Sequence, residues 1–162
     1  MKYLNTMVTF SEFPDEIALC INITNCPFHC PGCHSPELWK DIGKPLTQRS
    51  LERLISENDG ITCIGFMGGD PEIVNLLAQV VHKHYLNVGW YWGGNTIPYD
   101  KIKLENFDYI KIGPYIKEKG PLDNPNTNQK MFEVVEMVDD YDNKYYELKN
   151  ITFKFWKHGS KG

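Results

Sequence analysis

Four short apolar runs, two pairs of them separated by helical stretches, limit the fold more than any other feature of this chain. The runs are Glu16–Ile23 (EIALCINI), Ile61–Met67 (ITCIGFM), Asn87–Trp92 (NVGWYW) and Asp108–Gly113 (DYIKIG). Runs this short, rich in β-branched and aromatic residues and bounded by Gly, Pro or Asn, read as buried strands. Between the first two lies TQRSLERLISEN, with Thr47 as an N-cap and Leu51, Leu54 and Ile55 at helical spacing. Between the second and third lies PEIVNLLAQVVHKHY, which Pro71 opens as a first-turn proline. Strand, helix, strand, helix, strand is the signature of a parallel sheet with crossover helices.

The last third changes character. GPLDNPNTNQK is a polar, turn-rich loop, and MFEVVEMV, KYYEL and NITFKFWK have β-like composition, with DDYDN as a turn between them. The expectation is one domain over residues 1–162, with a core at about 16–130 and a small antiparallel β element in the extension at about 131–162. The formal net charge of −4, with no Lys/Arg-rich run, excludes bulk electrostatic binding to DNA or RNA. No apolar run spans a bilayer, and MKYLNTMVTF lacks the apolar core of a signal peptide, so no membrane association and a cytoplasmic location are expected.

NCPFHCPGCHSP, Asn25–Pro36, follows the first strand and carries Cys26, Cys30 and Cys33 as C-x3-C-x2-C. Pro27, Pro31, Gly32 and Pro36 break regular structure, so the cysteines lie on a loop. In a reducing compartment such a cluster reads as a metal or redox site rather than a disulfide framework, and the odd total of five cysteines points the same way. Three thiolates on a cubic iron–sulfur cluster leave one iron open to a small chelating molecule. An open coordination position marks a catalytic site, as it does for zinc. Zinc is the alternative, with His29 or His34 available to complete a Cys3His set, although no second cysteine pair is present. Cys20 and Cys63 fall inside strands and read as small core residues.

The motif on a loop after the first strand resembles the radical S-adenosylmethionine enzymes. The resemblance implies a 4Fe-4S cluster ligated by Cys26, Cys30 and Cys33 and an open iron that chelates the methionine moiety of S-adenosylmethionine. One electron from the cluster then releases a 5′-deoxyadenosyl radical. MGGDP, Met67–Pro71, ends the second strand and resembles the family's Gly-Gly-Glu-Pro signature. It implies that Gly68, Gly69 and Asp70 meet the cofactor's amino group, with Asp in place of Glu. Gly32 and His34, flanking Cys33, are implied near the adenine. WYWGGNT (Trp90–Thr96) ends the third strand, where ligand loops lie in α/β folds, and divides evenly between ligand contact and aromatic core.

A full (β/α)8 barrel needs ~200 residues or more, so the expected fold is α/β, an incomplete (β/α) barrel of parallel strands open to a large substrate. CPGCHSPELW, DYIKIGPY and NTNQK (Asn126–Lys130) resemble segments of the activating proteins of anaerobic (class III) ribonucleotide reductases. That resemblance runs from about Ile17 to Lys130. It implies a glycyl radical protein, the large reductase subunit, as partner, and flavodoxin or ferredoxin as a low-potential electron donor. Lys111 stands where an acidic residue is common, so it receives no implied role. The alternatives are an activase of the pyruvate formate-lyase type and a small-molecule radical enzyme such as a deazaguanine synthase. From a different class comes a non-enzymatic metal-binding interaction module.

Overall fold

A computed structural model describes residues 1–156. In chain order the elements are β1 (Lys2–Thr9), β2 (Ala18–Ile23), β3 (Lys44–Pro45), α1 (Gln48–Ser56), β4 (Cys63–Met67), α2 (Pro71–Lys83), β5 (Asn87–Tyr91), β6 (Tyr109–Ile112), β7 (Lys130–Val138) and β8 (Lys144–Asn150). All eight strands join one sheet in the order β3-β1-β2-β4-β5-β6-β7-β8. The middle four, β2, β4, β5 and β6, run parallel, and they are the four apolar runs of the sequence. Both crossover helices form where their caps place them. Thr47 and Ser50 make a reciprocal capping box on α1, and Asp70 with Pro71 opens α2.

The flanks depart from the sequence reading in three places. MKYLNTMVTF forms β1, an eight-residue antiparallel strand beside β2 that local composition did not reveal. The C-terminal β element exists as the β7–β8 hairpin, but β7 extends the main sheet by pairing with β6. NITFKFWK is not a strand: Asn150 ends β8 and Thr152–Phe155 form a 3-10 turn. Lys157, the last residue of that segment, lies outside the described residues with the remainder of the extension. Among the described residues no pairing joins β3 to β8, so the sheet runs in an open order.

Alternate residues of a strand face opposite sides of the sheet, and the two sides here are built differently. Leu19, Ile21, Ile64, Phe66, Val88, Trp90 and Ile110 pack against Leu51 and Leu54 of α1 and Val74, Leu77, Ala78 and Val81 of α2. The opposite side carries the small residues Ala18, Cys20, Cys63, Gly65 and Gly89; the Phe13 ring lies over the two glycines, and Leu122, Met131 and Ile151 complete this second cluster. A Cβ on Gly65 would stand 2.6 Å from Phe13 Cε2, and one on Gly89 would stand 2.2 Å from Cε1. Gly65 and Gly89 are register partners on β4 and β5, so together they form the seat of that ring. At the amino ends of the parallel strands the buried Glu16 carboxylate accepts from Thr62 Oγ1, Asn87 Nδ2 and Tyr109 OH and ties those ends together. The carboxyl ends face the cysteine loop.

Candidate metal centre and cofactor site

The cysteine loop is anchored from both its ends and its middle. Asn25 N–H donates to Lys40 O and Cys26 N–H to Leu38 O, each at 3.0 Å, closing the loop onto the 3-10 turn Pro36–Trp39. Asn25 and His29 take left-handed backbone with φ of 62° and 45°, and Gly32 does so at 77°. These sharp reversals let a short segment wrap around a central object. Phe28 packs edge-on against Trp92, just past β5, with centroids 4.9 Å apart. His34 lies 5.3 Å from the Tyr115 ring, just past β6, and a Cβ on Gly32 would stand 3.4 Å from Tyr115 Cε1. The loop therefore sits across the carboxyl ends of β5 and β6.

Cys26, Cys30 and Cys33 are half-buried free thiols. Cys33 N–H donates to Cys30 O at 3.0 Å, and Ser35 N–H donates to Cys33 Sγ at 3.5 Å. Among the described residues no three His, Cys, Asp or Glu side chains converge as they would on a single ion. His29, one of the two histidines offered for a Cys3His set, is stacked on Trp39 with centroids 4.8 Å apart. A polynuclear cluster places each thiolate on a different iron and tolerates wider separation. The same loop leaves a buried donor, Trp39 Nε1–H, with no acceptor among the described residues. Three half-buried thiols on one loop and a backbone that reverses around them fit an iron–sulfur cluster.

Cys20 and Cys63 are different. Both are buried on the face opposite the helices, and burial is the largest cause pushing the Cys20 thiol up to about 12 and the Cys63 thiol higher still. Neither lies on the cysteine loop, and burial disfavours the thiolate form of each.

The predicted cofactor residues fall into two groups. Gly69 and Asp70 line a cleft of about 540 Å³ together with Asn25, Pro27, Trp92 and the first turn of α2. Gly32 and His34 lie apart from that cleft, with Tyr115 on the β6 side. Gly68 and Gly69 both take φ of 102°, which only glycine adopts without strain. Their open sides differ. A Cβ on Gly68 meets nothing closer than 3.9 Å, whereas one on Gly69 would stand 2.8 Å from Val74 Cγ2 and Met1 Sδ. Gly69 is small because apolar protein packs against it, and Gly68 is the glycine with space in front. Asp70 Oδ1 accepts from the N–H groups of Glu72 and Ile73 at 3.0 and 3.2 Å, the geometry of an N-cap. The shorter Asp is thereby explained where the resembled signature has Glu, because Asp is a strong N-cap residue.

Comparison with known proteins decides the family. The family model described as a 4Fe-4S single cluster domain matches residues 17–142. This chain belongs to that family. A curated relative, the PqqA peptide cyclase of Bradyrhizobium diazoefficiens, is 34% identical over 86 residues, covering 51% of this chain. The chain spans only 22% of that relative's length. No solved structure matches. Together the family and the relative place the chain among radical S-adenosylmethionine iron–sulfur proteins, and its cofactors are a 4Fe-4S cluster and S-adenosylmethionine. Among the described residues no helix is long and apolar enough to cross a membrane.

The sequence marks WYWGGNT and NTNQK without deciding their roles, and of the further site residues it passes over only Glu12. Trp92 is the anchor of the cysteine loop, and Trp90 is fully buried, donating its indole N–H to Gly68 O at 3.0 Å. The WYWGG segment thus divides, with Trp90 in the core and Trp92 at the cleft. Asn128 and Gln129 brace the turn after β6, donating to Pro114 O at 2.9 Å and Gly113 O at 3.5 Å. Glu12 and Tyr91 join on the open face, where the Tyr91 hydroxyl donates to the Glu12 carboxylate at 2.8 Å. In-strand glycines at 65 and 89 were the available signal for that face.

Proposed function

We propose that this chain is an activating enzyme that generates a glycyl radical on an anaerobic ribonucleotide reductase, using a low-potential donor such as flavodoxin or ferredoxin. In this reading the parallel strands serve as an incomplete barrel. When bound, the cluster supplies the electron that cleaves S-adenosylmethionine to a 5′-deoxyadenosyl radical, which takes hydrogen from the partner's glycine Cα. Cys26, Cys30 and Cys33 hold the cluster, Gly68 admits the methionine moiety, and Gly32 and His34 border the adenine. The carrying observation is a cleft of about 670 Å³ beside the face opposite the helices, which Phe13, Leu122, Met131 and Ile151 pack over. Phe10, Glu12, Tyr91 and Leu122 line that cleft, and a polypeptide loop can enter there. Hydrogen abstraction requires near-contact of the reacting atoms, which docking of such a loop supplies.

The peptide cyclase relative favours a second reading, a radical enzyme that modifies a peptide side chain. One experiment separates the two. Anaerobically reconstituted protein is mixed with reductant, S-adenosylmethionine and a candidate reductase deuterated at glycine Cα. A glycyl radical signal by electron paramagnetic resonance, a doublet with unlabelled reductase that collapses to a singlet with the deuterated one, together with deuterium in 5′-deoxyadenosine, supports the activase. Cleavage of S-adenosylmethionine with the label retained in the reductase rejects it.

A further inference from the structure

Lys111 lies on β6 in register with Tyr91 of β5, on the face away from the helices. It is 9% exposed. Its Nζ stands 4.8 Å from the centroid of the Tyr91 ring. Among the described residues it makes no ion pair and no side-chain hydrogen bond, although Glu12 is held nearby by the Tyr91 hydroxyl. Lysine is almost never buried without a partner, because desolvating an ammonium is costly. A ring face offsets part of that cost but does not neutralise the charge.

Glu12 is the one carboxylate acting on it, and the position of Lys111 indicates where a further negative charge belongs. Lys111 is near the carboxyl end of β6, and the cysteine loop packs on the residues just past β5 and β6 through Trp92 and Tyr115. The backbone of Lys111 itself receives the Trp92 N–H at 2.8 Å, so the loop's anchor and the lysine share one hydrogen-bonded pair. Burial lowers the Lys111 pKa to about 8, and the charges of Cys30, Glu12, Cys33 and Cys26, in that order, oppose the fall. The amine is therefore mostly charged at neutral pH, and all three loop cysteines lie within its field.

We propose that Lys111 is the counter-charge of the cysteine-held cluster, a positioning residue whose buried ammonium stabilises the reduced state and raises the cluster's reduction potential. The inference rests on the three loop cysteines being the ligands. It is independent of the substrate. The balance is simple: one electron enters the cluster from a one-electron reductant, no bond changes and no proton moves. The added negative charge meets a fixed positive one in surroundings of low dielectric, where the interaction is strong.

The test is a redox titration of the reconstituted protein without S-adenosylmethionine, followed by electron paramagnetic resonance, with iron counted in every sample. Lys111→Met should keep its iron and lower the reduced-to-oxidised ratio at a fixed potential at least tenfold, about 59 mV for one electron. Lys111→Arg should stay close to the parent. An unshifted midpoint in iron-loaded Lys111→Met overturns the proposal, and so does an equal shift in Lys111→Arg, which would make packing the cause. If Lys111→Met and Lys111→Gln both lose iron while Lys111→Arg keeps it, the counter-charge is required for cluster retention and the proposal stands. Loss in all three overturns it. Retention of iron by a Cys26→Ala, Cys30→Ala, Cys33→Ala triple variant would instead sink the ligand assignment beneath it.

Discussion

The two faces of the central sheet come from the same strands and serve opposite ends. Toward α1 and α2 the strands present Leu19, Ile21, Ile64, Phe66, Val88 and Trp90, all large and buried. On the other side, the same strands present Ala18, Cys20, Cys63, Gly65 and Gly89, then Tyr91 and Lys111 toward the carboxyl ends. Large residues fill the first face and leave no room for a ligand. Small residues on the second are filled over by the Phe13 ring and by Leu122, Met131 and Ile151, and a cleft opens only beside Tyr91 and Leu122. The difference teaches that stability and chemistry are divided by side-chain parity along each strand, since neighbouring positions point opposite ways.

The largest effect that tests this division concerns the cysteines. Replacing Cys26, Cys30 or Cys33 singly with Ala should abolish stable cluster binding, taking iron from about four per chain to near zero. A Cys20→Ala, Cys63→Ala double variant should keep its iron. Iron analysis after anaerobic reconstitution checks both, and loss of iron from a folded double variant would make the open face part of the metal centre.

The buried lysine gives the next largest effect. In the cluster-free chain its folded pKa of about 8 lies below the ordinary 10.5, so the unfolded chain binds the extra proton between those values. The cost of burying the charge is complete below about pH 8 and fades as pH rises to about 10.5, so stability climbs with pH across that window. Lys111→Met should therefore stabilise the cluster-free chain at pH 7 by up to about 3 kcal/mol, and by progressively less toward pH 10. Urea unfolding at several pH values measures this. A gain that does not vary with pH would mean that packing, not charge, sets it.

The seat of Phe13 is the third test. Gly89→Val puts a side chain where the ring lies and should cost about 1–3 kcal/mol by overpacking. Introduced into a Phe13→Ala background, the same change should cost clearly less, because the clash has gone. A double-mutant cycle reads the coupling. Additive effects would show that the ring does not depend on the two glycines.

Asp70 carries the smallest effect. Asp70→Ala should cost about 1 kcal/mol by loss of the N-cap, while Asp70→Asn, which still caps, should cost little. If Asp70→Asn keeps its stability yet binds S-adenosylmethionine more weakly, the carboxylate has a role beyond the helix. Thermal melts paired with a binding titration distinguish the two.

The chain by itself determined the four parallel strands, because each is a short, mostly apolar run rich in β-branched and aromatic residues. It determined both helices too, because Thr47 and Pro71 mark their starts and the apolar spacing gives each a face. It also placed the three-cysteine motif on a loop, since Pro and Gly exclude regular structure there. Tertiary structure alone decided the rest. β1 alternates exposed and half-buried residues weakly, and its strand state comes from pairing with β2 rather than from its own composition. Phe13 and Lys111 gain their meaning from distant segments: one from glycines on β4 and β5, the other from a ring on β5 and a loop that follows β2. Local propensity acts over a few residues, whereas a ring's seat and a charge's counter-charge are set by contacts across the sheet that only the folded chain brings together.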